Sequence, residues 1–197
     1  MLKTSQLAVL VLCGGTGRRV GGADKPLLPY RGRPLLETVL SRLPAAQQTL
    51  LSANRNLARY ARFGLRVVSD CVPGRGPLAG IASAATLLEQ NIKWLYVVPG
   101  DAPGLPQGLC AALHAAAASH SHSTAYARAE RAHYLPLLAN RAALNRLARS
   151  PDGAVRDWLQ GQRGDAESER SGTQSAVLAW PDERAFRNLN TEADFAV

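Results

Sequence analysis

The stretch Leu7-Ala8-Val9-Leu10-Val11-Leu12-Cys13-Gly14-Gly15-Thr16-Gly17-Arg18-Arg19-Val20-Gly21-Gly22-Ala23-Asp24-Lys25 decides how the chain is read. Its first six residues are apolar without alternation, and such a run ending at glycines predicts a parallel strand buried on both faces. From Leu12 to Lys25 the chain then holds five glycines and three cations. Glycine lets the backbone approach an anion closely and turn successive N–H groups toward it, while Arg and Lys neutralise charge, so the loop suits a triphosphate. Two familiar phosphate loops are excluded. A Walker A loop places Lys directly before Ser or Thr, whereas Lys25 follows Asp24 and precedes Pro26. A dinucleotide fingerprint needs glycine where Val20 stands and an acidic residue at the end of the second strand, which residues 50–54 lack.

Working outward, Pro34 stands where a first helical residue would, followed by an apolar stripe of Leu35, Leu36, Val39, Leu40 and Leu43. Patterning then predicts a strand at Gln48–Ser52, a helix at 56–63, a strand at 65–68, a helix at 77–90 and a buried strand at 94–98. A helix at 106–118 precedes strands at Thr124–Arg128 and 134–139 around a turn near Glu130. Helices at Arg141–Arg149 and 154–159, a polar loop at 161–172 and a last strand at Ser175–Ala179 complete the reading. The alternation describes an α/β sandwich with a mainly parallel sheet. Ligands of such sheets bind beyond the carboxyl ends of the strands, where loops 13–25, 52–56, 70–76 and 99–104 gather. Asp101, just past the strand at 94–98, is there a candidate ligand for Mg²⁺ on nucleotide phosphates.

A length of 197 residues favours one domain, 1–197. Hydrophobic residues at 46% and charged residues at 19% are ordinary globular usage. The net charge of +8 fits nucleic acid, an anionic membrane or polyphosphate substrates. The arginines are scattered, without a dense basic run or interleaved aromatics, which speaks against nucleic acid. No apolar run approaches the ~20 residues a bilayer requires, and the amino terminus does not read as a signal peptide, so a soluble cytoplasmic protein is expected. Cys13, Cys71 and Cys110 are odd in number and widely spaced, the mark of reduced thiols rather than a disulfide framework or a zinc site.

At this point the motifs join. The loop from Leu12 to Lys25, then Asp70 with Gly76-Pro77-Leu78-Ala79-Gly80, then Asp101-Ala102-Pro103 with Pro106, then Asn188-Leu189-Asn190-Thr191 resemble, in order, four motifs of the molybdenum cofactor guanylyltransferases. The resemblance spans nearly the whole chain and implies a Rossmann-like, three-layer nucleotidyltransferase fold. It implies that Leu12, Cys13, Gly14 and Gly15 contact GTP, that Lys25 reaches its phosphates, and that Asn54, Asp70 and Asp101 contact the nucleotide. Arg19 is the arginine of the loop expected on phosphate, and Lys25, Arg19 and Asp101 form the expected catalytic set, with Asp101 also the metal ligand. Arg156, Asn188 and Asn190 match positions around the pterin phosphate.

Two positions depart from the family pattern. Ser52-Ala53-Asn54-Arg55 replaces Asn-Ala-Asn-Arg, exchanging an amide that contacts guanine for a hydroxyl, and Tyr134 stands after His133 where Pro is usual. Cys13 stands where Ala is usual and, with no base beside it in sequence, reads as a small filler rather than a nucleophile.

The resemblance implies transfer of GMP from Mg-GTP to molybdopterin or its molybdenum-loaded form, with the preceding cofactor-synthesis enzyme and recipient apoenzymes as partners. A CTP-dependent sister enzyme, a sugar-phosphate nucleotidyltransferase and a non-catalytic GTP-binding regulator are the alternatives.

Overall fold

The computed structural model describes residues 1–14, 23–70, 75–161 and 175–195. β1 (Leu7–Leu12) leads through a two-stranded hairpin, β2 (Pro29–Tyr30) and β3 (Arg33–Pro34), into α1 (Leu35–Leu40). β4 (Gln48–Ser52), α2 (Leu57–Ala61), β5 (Arg66–Val68), α3 (Pro77–Ala85) and β6 (Trp94–Pro99) follow. The second half contains α4 (Leu109–Ser119), β7 (Thr124–Arg128), β8 (Ala132–Asn140), α5 (Arg141–Arg149), α6 (Val155–Leu159) and β9 (Ser175–Ala179).

Seven strands form one sheet in the order β5-β4-β1-β6-β8-β7-β9. All pairings are parallel except those of β8, which runs antiparallel to β6 and β7. β1 sits between β4 and β6, and its alternate residues face two cores. Leu7, Val9 and Val11 pack with Leu36, Val39, Leu109 and Leu113. Ala8 and Leu10 pack with Leu78, Ile81, Leu144 and Leu147. Helices therefore cover both faces, the three-layer arrangement expected, and the unalternating apolar run is explained by burial on both sides.

Differences from the expected elements are local. Pro34 is the extended cap before α1, with ψ 136°, rather than its first helical residue. The missing N–H of Pro34 is harmless there, because the hairpin uses its extended backbone. α3 stops at Ala85 instead of reaching residue 90, and α4 begins at Leu109 because Gly108 is left-handed, with φ +86°. Short helical turns at 25–27, 183–186 and 192–195 are additional to the expected elements. Among the described residues, no helix is long and apolar enough to cross a membrane.

The chain builds β1, moves outward to β4 and β5, then returns to place β6 on the other side of β1. The carboxyl ends of β1 and β6 thus flank a topological switch point, the place where sheets of this kind bind ligands. At that point Gly100 N–H donates to Leu12 O at 2.9 Å, and Cys13 N–H donates to Ser52 O at 2.8 Å. A Cβ on Gly100 would lie 3.0 Å from Leu12 O and 3.0 Å from Pro26 Cγ. Gly100→Ala is expected to force these loops apart and destabilise the protein by roughly 1–3 kcal/mol, which urea unfolding would measure.

Candidate active site

The short turn Lys25–Leu27 follows the glycine-rich loop and places Lys25 over the end of β6. Its Nζ donates to Asp101 Oδ2 at 3.0 Å and to Asn190 Oδ1 at 2.6 Å. The side chains of Lys25 and Asp101 are each 19% exposed, open enough to meet a ligand and shielded enough to feel each other's charge. Leu189 N–H donates to Asp101 O at 2.8 Å, which fastens the 188–191 stretch to the end of β6. Residues 165 positions apart in sequence therefore meet at one ammonium.

A second group lies at the ends of β4 and β5. Asn54 and Asp70 clasp each other: Asn54 Nδ2 donates to Asp70 Oδ2 at 2.7 Å, and Asp70 N–H donates to Asn54 Oδ1 at 2.8 Å. Ser52 is 4% exposed and turned inward, its hydroxyl 3.5 Å from Asp70 Oδ1. Gly80 of α3 leaves room for this, since a Cβ there would stand 2.6 Å from Ser52 Oγ. The Ser52 hydroxyl, standing where the family has an amide, lies against Asp70, and the Asn54 amide bonds the same carboxylate.

Asp24 was not singled out in the sequence, yet its side chain is 4% exposed and pairs with Arg55. Asn56 Nδ2 adds a hydrogen bond to its other oxygen at 2.9 Å. A buried carboxylate requires such partners. The clasp joins the end of the glycine-rich loop to the loop after β4, and Asp-Lys beside Asn-Arg-Asn is the signal that could have pointed to it.

Burial, with Asp24 and Asp101 nearby, pushes the Cys13 thiol far above its ordinary value, so it stays protonated and unreactive. Tyr60 donates to Cys13 O at 3.3 Å. Cys13 and Cys110 are buried free thiols, and burial pushes Cys110 up to about 12. Gly15, Arg18, Arg19 and Cys71 lie outside the described residues.

Beyond Asn190 opens a cleft of about 690 Å³ walled by Arg131, Arg156, Arg184 and Arg187, with Asn188 and Asn190 at its edge. Three of those arginines were not singled out in the sequence, because they look like scattered surface charge until β8 and the 183–190 stretch bring them together. Arg156 bonds Asp157 at 2.8 Å, and Tyr134 accepts a hydrogen bond from Gln160 at 3.0 Å. Glu183 accepts from Arg131 and lies 2.9 Å from His133 Nε2, whose ring stacks on Phe186 at 4.3 Å. The hydrogen bond from His133, more than its charge, holds the Glu183 carboxyl below its usual range. Three of the four guanidiniums pair with carboxylates, Arg131 with Glu183, Arg156 with Asp157 and Arg187 with Asp194, so the cleft keeps a small excess of positive charge over its three acidic partners.

Comparisons with known proteins identify the family and the fold. A profile described as the MobA-like NTP transferase domain matches residues 9–169. The chain is 37% identical to the molybdenum cofactor guanylyltransferase of Ralstonia nicotianae, with 98% of this chain and 96% of that protein covered. It is 46% identical to the protein of the same name from Ralstonia pickettii over 57% of this chain, and that match spans about half, 55%, of the relative's length. The molybdopterin-guanine dinucleotide biosynthesis protein A of Archaeoglobus fulgidus shares the fold, with TM-score 0.67 and 24% identity over 95% of this chain and 94% of its own. A strand-end lysine and aspartate at the switch point of a mainly parallel sheet, a profile covering most of the chain and a relative matched along its length lead to one conclusion: the chain belongs to the MobA-like NTP transferase domain family.

Proposed function

We propose that this protein transfers the GMP part of GTP to the terminal phosphate of molybdopterin, or of its molybdenum-loaded form. An oxygen of the acceptor phosphate bonds to the α-phosphorus while the bond from that phosphorus to the oxygen bridging the β-phosphate breaks, and pyrophosphate leaves with the electron pair. The acceptor phosphate is already ionised, so no protein nucleophile is required and catalysis rests on positioning and charge neutralisation.

The observation that carries this reading is Asn190. Its side chain holds Lys25 at the end of the glycine-rich loop, and the same residue lines the arginine cleft, which supports a reading in which nucleotide and acceptor bind side by side. In this reading Lys25 turns from Asp101 and Asn190 toward the triphosphate, with loop N–H groups and Arg19 beside it, while Arg156 and Asn188 face the acceptor. Among the described residues no group of three or more His, Cys, Asp or Glu could hold a metal ion by itself. Magnesium needs no such cage, because it takes one or two carboxylates and fills its shell with phosphate oxygens and water, a donor set that Asp101 and a triphosphate together match. Held by Asp101, it would neutralise charge on the triphosphate.

Asp70 suits the guanine edge. Its two carboxylate oxygens can accept from the adjacent N1–H and N2–H₂ donors of guanine, a pair that neither adenine nor cytosine presents. Asp70→Asn replaces one acceptor with a donor and is expected to narrow the preference for GTP roughly ten- to a hundredfold, the equivalent of ~1–3 kcal/mol for an unpaired buried group. Values of kcat/KM for the four nucleoside triphosphates before and after the change would show it.

The same four nucleotides, mixed with the protein, Mg²⁺ and molybdopterin, test the function itself. Pyrophosphate and a dinucleotide product should appear fastest with GTP. Preference for CTP, or none, would overturn the guanylyl assignment, and GTP binding without turnover would make the chain a binder.

A further inference from the structure

Lys25 is one of three lysines in the chain, with Lys3 and Lys93. Asn190, which holds its ammonium from one side, lies between Leu189 and the short turn Glu192–Phe195 and needs an anchor of its own. That anchor is Asp194. Its Oδ2 accepts from the N–H of Asn190, the N–H of Thr191 and the hydroxyl of Thr191, each at 2.9 Å. The other oxygen pairs with Arg187, and the carboxylate is only 11% exposed. Thr191-Glu192-Ala193-Asp194 has the spacing of a capping box, in which the acidic residue reaches back to the first N–H of the turn. Here the reach goes one residue further, to Asn190.

We propose that Asp194 is a positioning residue for the phosphate-binding lysine: by fixing the Asn190–Thr191 turn it sets Asn190 Oδ1 against Lys25 Nζ. Three observations separate this from ordinary capping. Four donors converge on the carboxylate, more than closing a one-turn helix requires. Asn190 spends its side-chain oxygen on Lys25 rather than on its own turn. Arg187, the remaining partner of Asp194, lines the arginine cleft, so one carboxylate orders both the lysine's cradle and a wall of that cleft. The hydrogen bonds from Asn190 and Thr191, with Arg187 adding to them, hold its carboxyl well below the usual range. A depressed value keeps the anchor ionised at neutral pH, and it is lost only as pH falls through that value.

The step from Lys25 to nucleotide transfer rests on the function proposed above, whereas the placement of Lys25 does not. The full chain labelled with ¹³C-lysine gives three ε-methylene signals, that of Lys25 identified by its loss in Lys25→Arg. In the native protein the Lys25 signal should show restricted motion. Asp194→Ala should loosen it, with Asp101 as the remaining hold, Asn190→Ala should do the same, and the double variant should show no more than either alone. Asp194→Asn keeps one acceptor oxygen and should restore much of the restriction, which also serves if the Ala variant folds poorly. In transfer assays Asp194→Ala should lower kcat/KM for GTP roughly tenfold, without adding to Asn190→Ala. A Lys25 signal unmoved by both Asp194 variants, or additive effects of Asp194 and Asn190, would overturn the proposal. A Lys25 signal that responds in a chain unable to transfer GMP would sink the functional reading and leave this one standing.

Discussion

Asp101→Ala is expected to lower GMP transfer about 100- to 1,000-fold, the loss typical when one preorganised electrostatic group is removed from a phosphoryl or acyl transfer site. The fold should survive. Asp101 stands past the end of β6, and the hydrogen bond that fastens the 188–191 stretch is accepted by its backbone oxygen, which Ala retains. What disappears is the carboxylate that balances Lys25 at 3.0 Å and is the proposed ligand for Mg²⁺. The two losses differ in sign for binding. An unbalanced Lys25 attracts the triphosphate more strongly, whereas a missing metal ligand weakens the hold on Mg-GTP. The expected signature is therefore a collapse of kcat with a modest change in the dissociation constant of GTP, and a weaker response to added Mg²⁺. Single-turnover rates beside equilibrium binding would check it, and transfer near the native rate would remove Asp101 from the machinery.

Lys25→Ala should instead impair binding and turnover together. A charge about 4 Å from a phosphate gains roughly 4 kcal/mol at an effective dielectric of 20 before desolvation is counted. With the cost of taking Lys25 away from Asp101 and Asn190 set against that, a loss of about 100-fold in kcat/KM is expected. The variant leaves the Asp101 carboxylate facing the incoming polyanion without its counterion, so repulsion adds to lost attraction. Lys25→Arg should recover part of the binding, since charge is retained, but less of kcat, because a planar guanidinium cannot take the position of a compact ammonium between two oxygens. Equal and small effects on both constants in Lys25→Ala would remove Lys25 from phosphate binding and leave it a structural link between Asp101 and Asn190.

Local chemistry makes much of this legible in the sequence. The run Leu7–Leu12 announces a strand buried on both faces, and the structure buries its alternate residues in two separate cores. Lys25 and Asp101 were identified because one ends a glycine-rich loop and the other follows a buried strand, and both positions point to the same end of a parallel sheet. Their pairing, and its closure by Asn190, joins three segments far apart in the chain. Helix limits were less legible. α3 ends at Ala85, where the alanine-rich stretch gives way to Thr86 and residues 86–91 form turns and loop before β6.

The residues missed share a reason. Asp24, Asp194, Arg131, Arg184 and Arg187 are charged groups in polar stretches, where sequence patterning predicts solvated surface. Whether such a group is solvated or structural depends on which donors and acceptors the fold brings within about 3 Å of it. Ser52 is the same case in reverse: as a replaced amide it invites a reading about the base, but its hydroxyl is buried against Asp70 and Gly80.

Periodicity, glycine placement and the order of motifs by themselves determined the layered α/β architecture and the gathering of Lys25 and Asp101 at the carboxyl end of the sheet. Those features follow from interactions among residues close in sequence, and from a sheet rule that fixes where strand ends point. Only the tertiary structure decided that Asn190 meets Lys25, that Asp194 anchors Asn190, and that four arginines share one cleft. Polar partnerships across long stretches of chain leave no periodic trace, because a hydrogen bond or an ion pair is set by angstrom-scale distance in space rather than by spacing along the backbone.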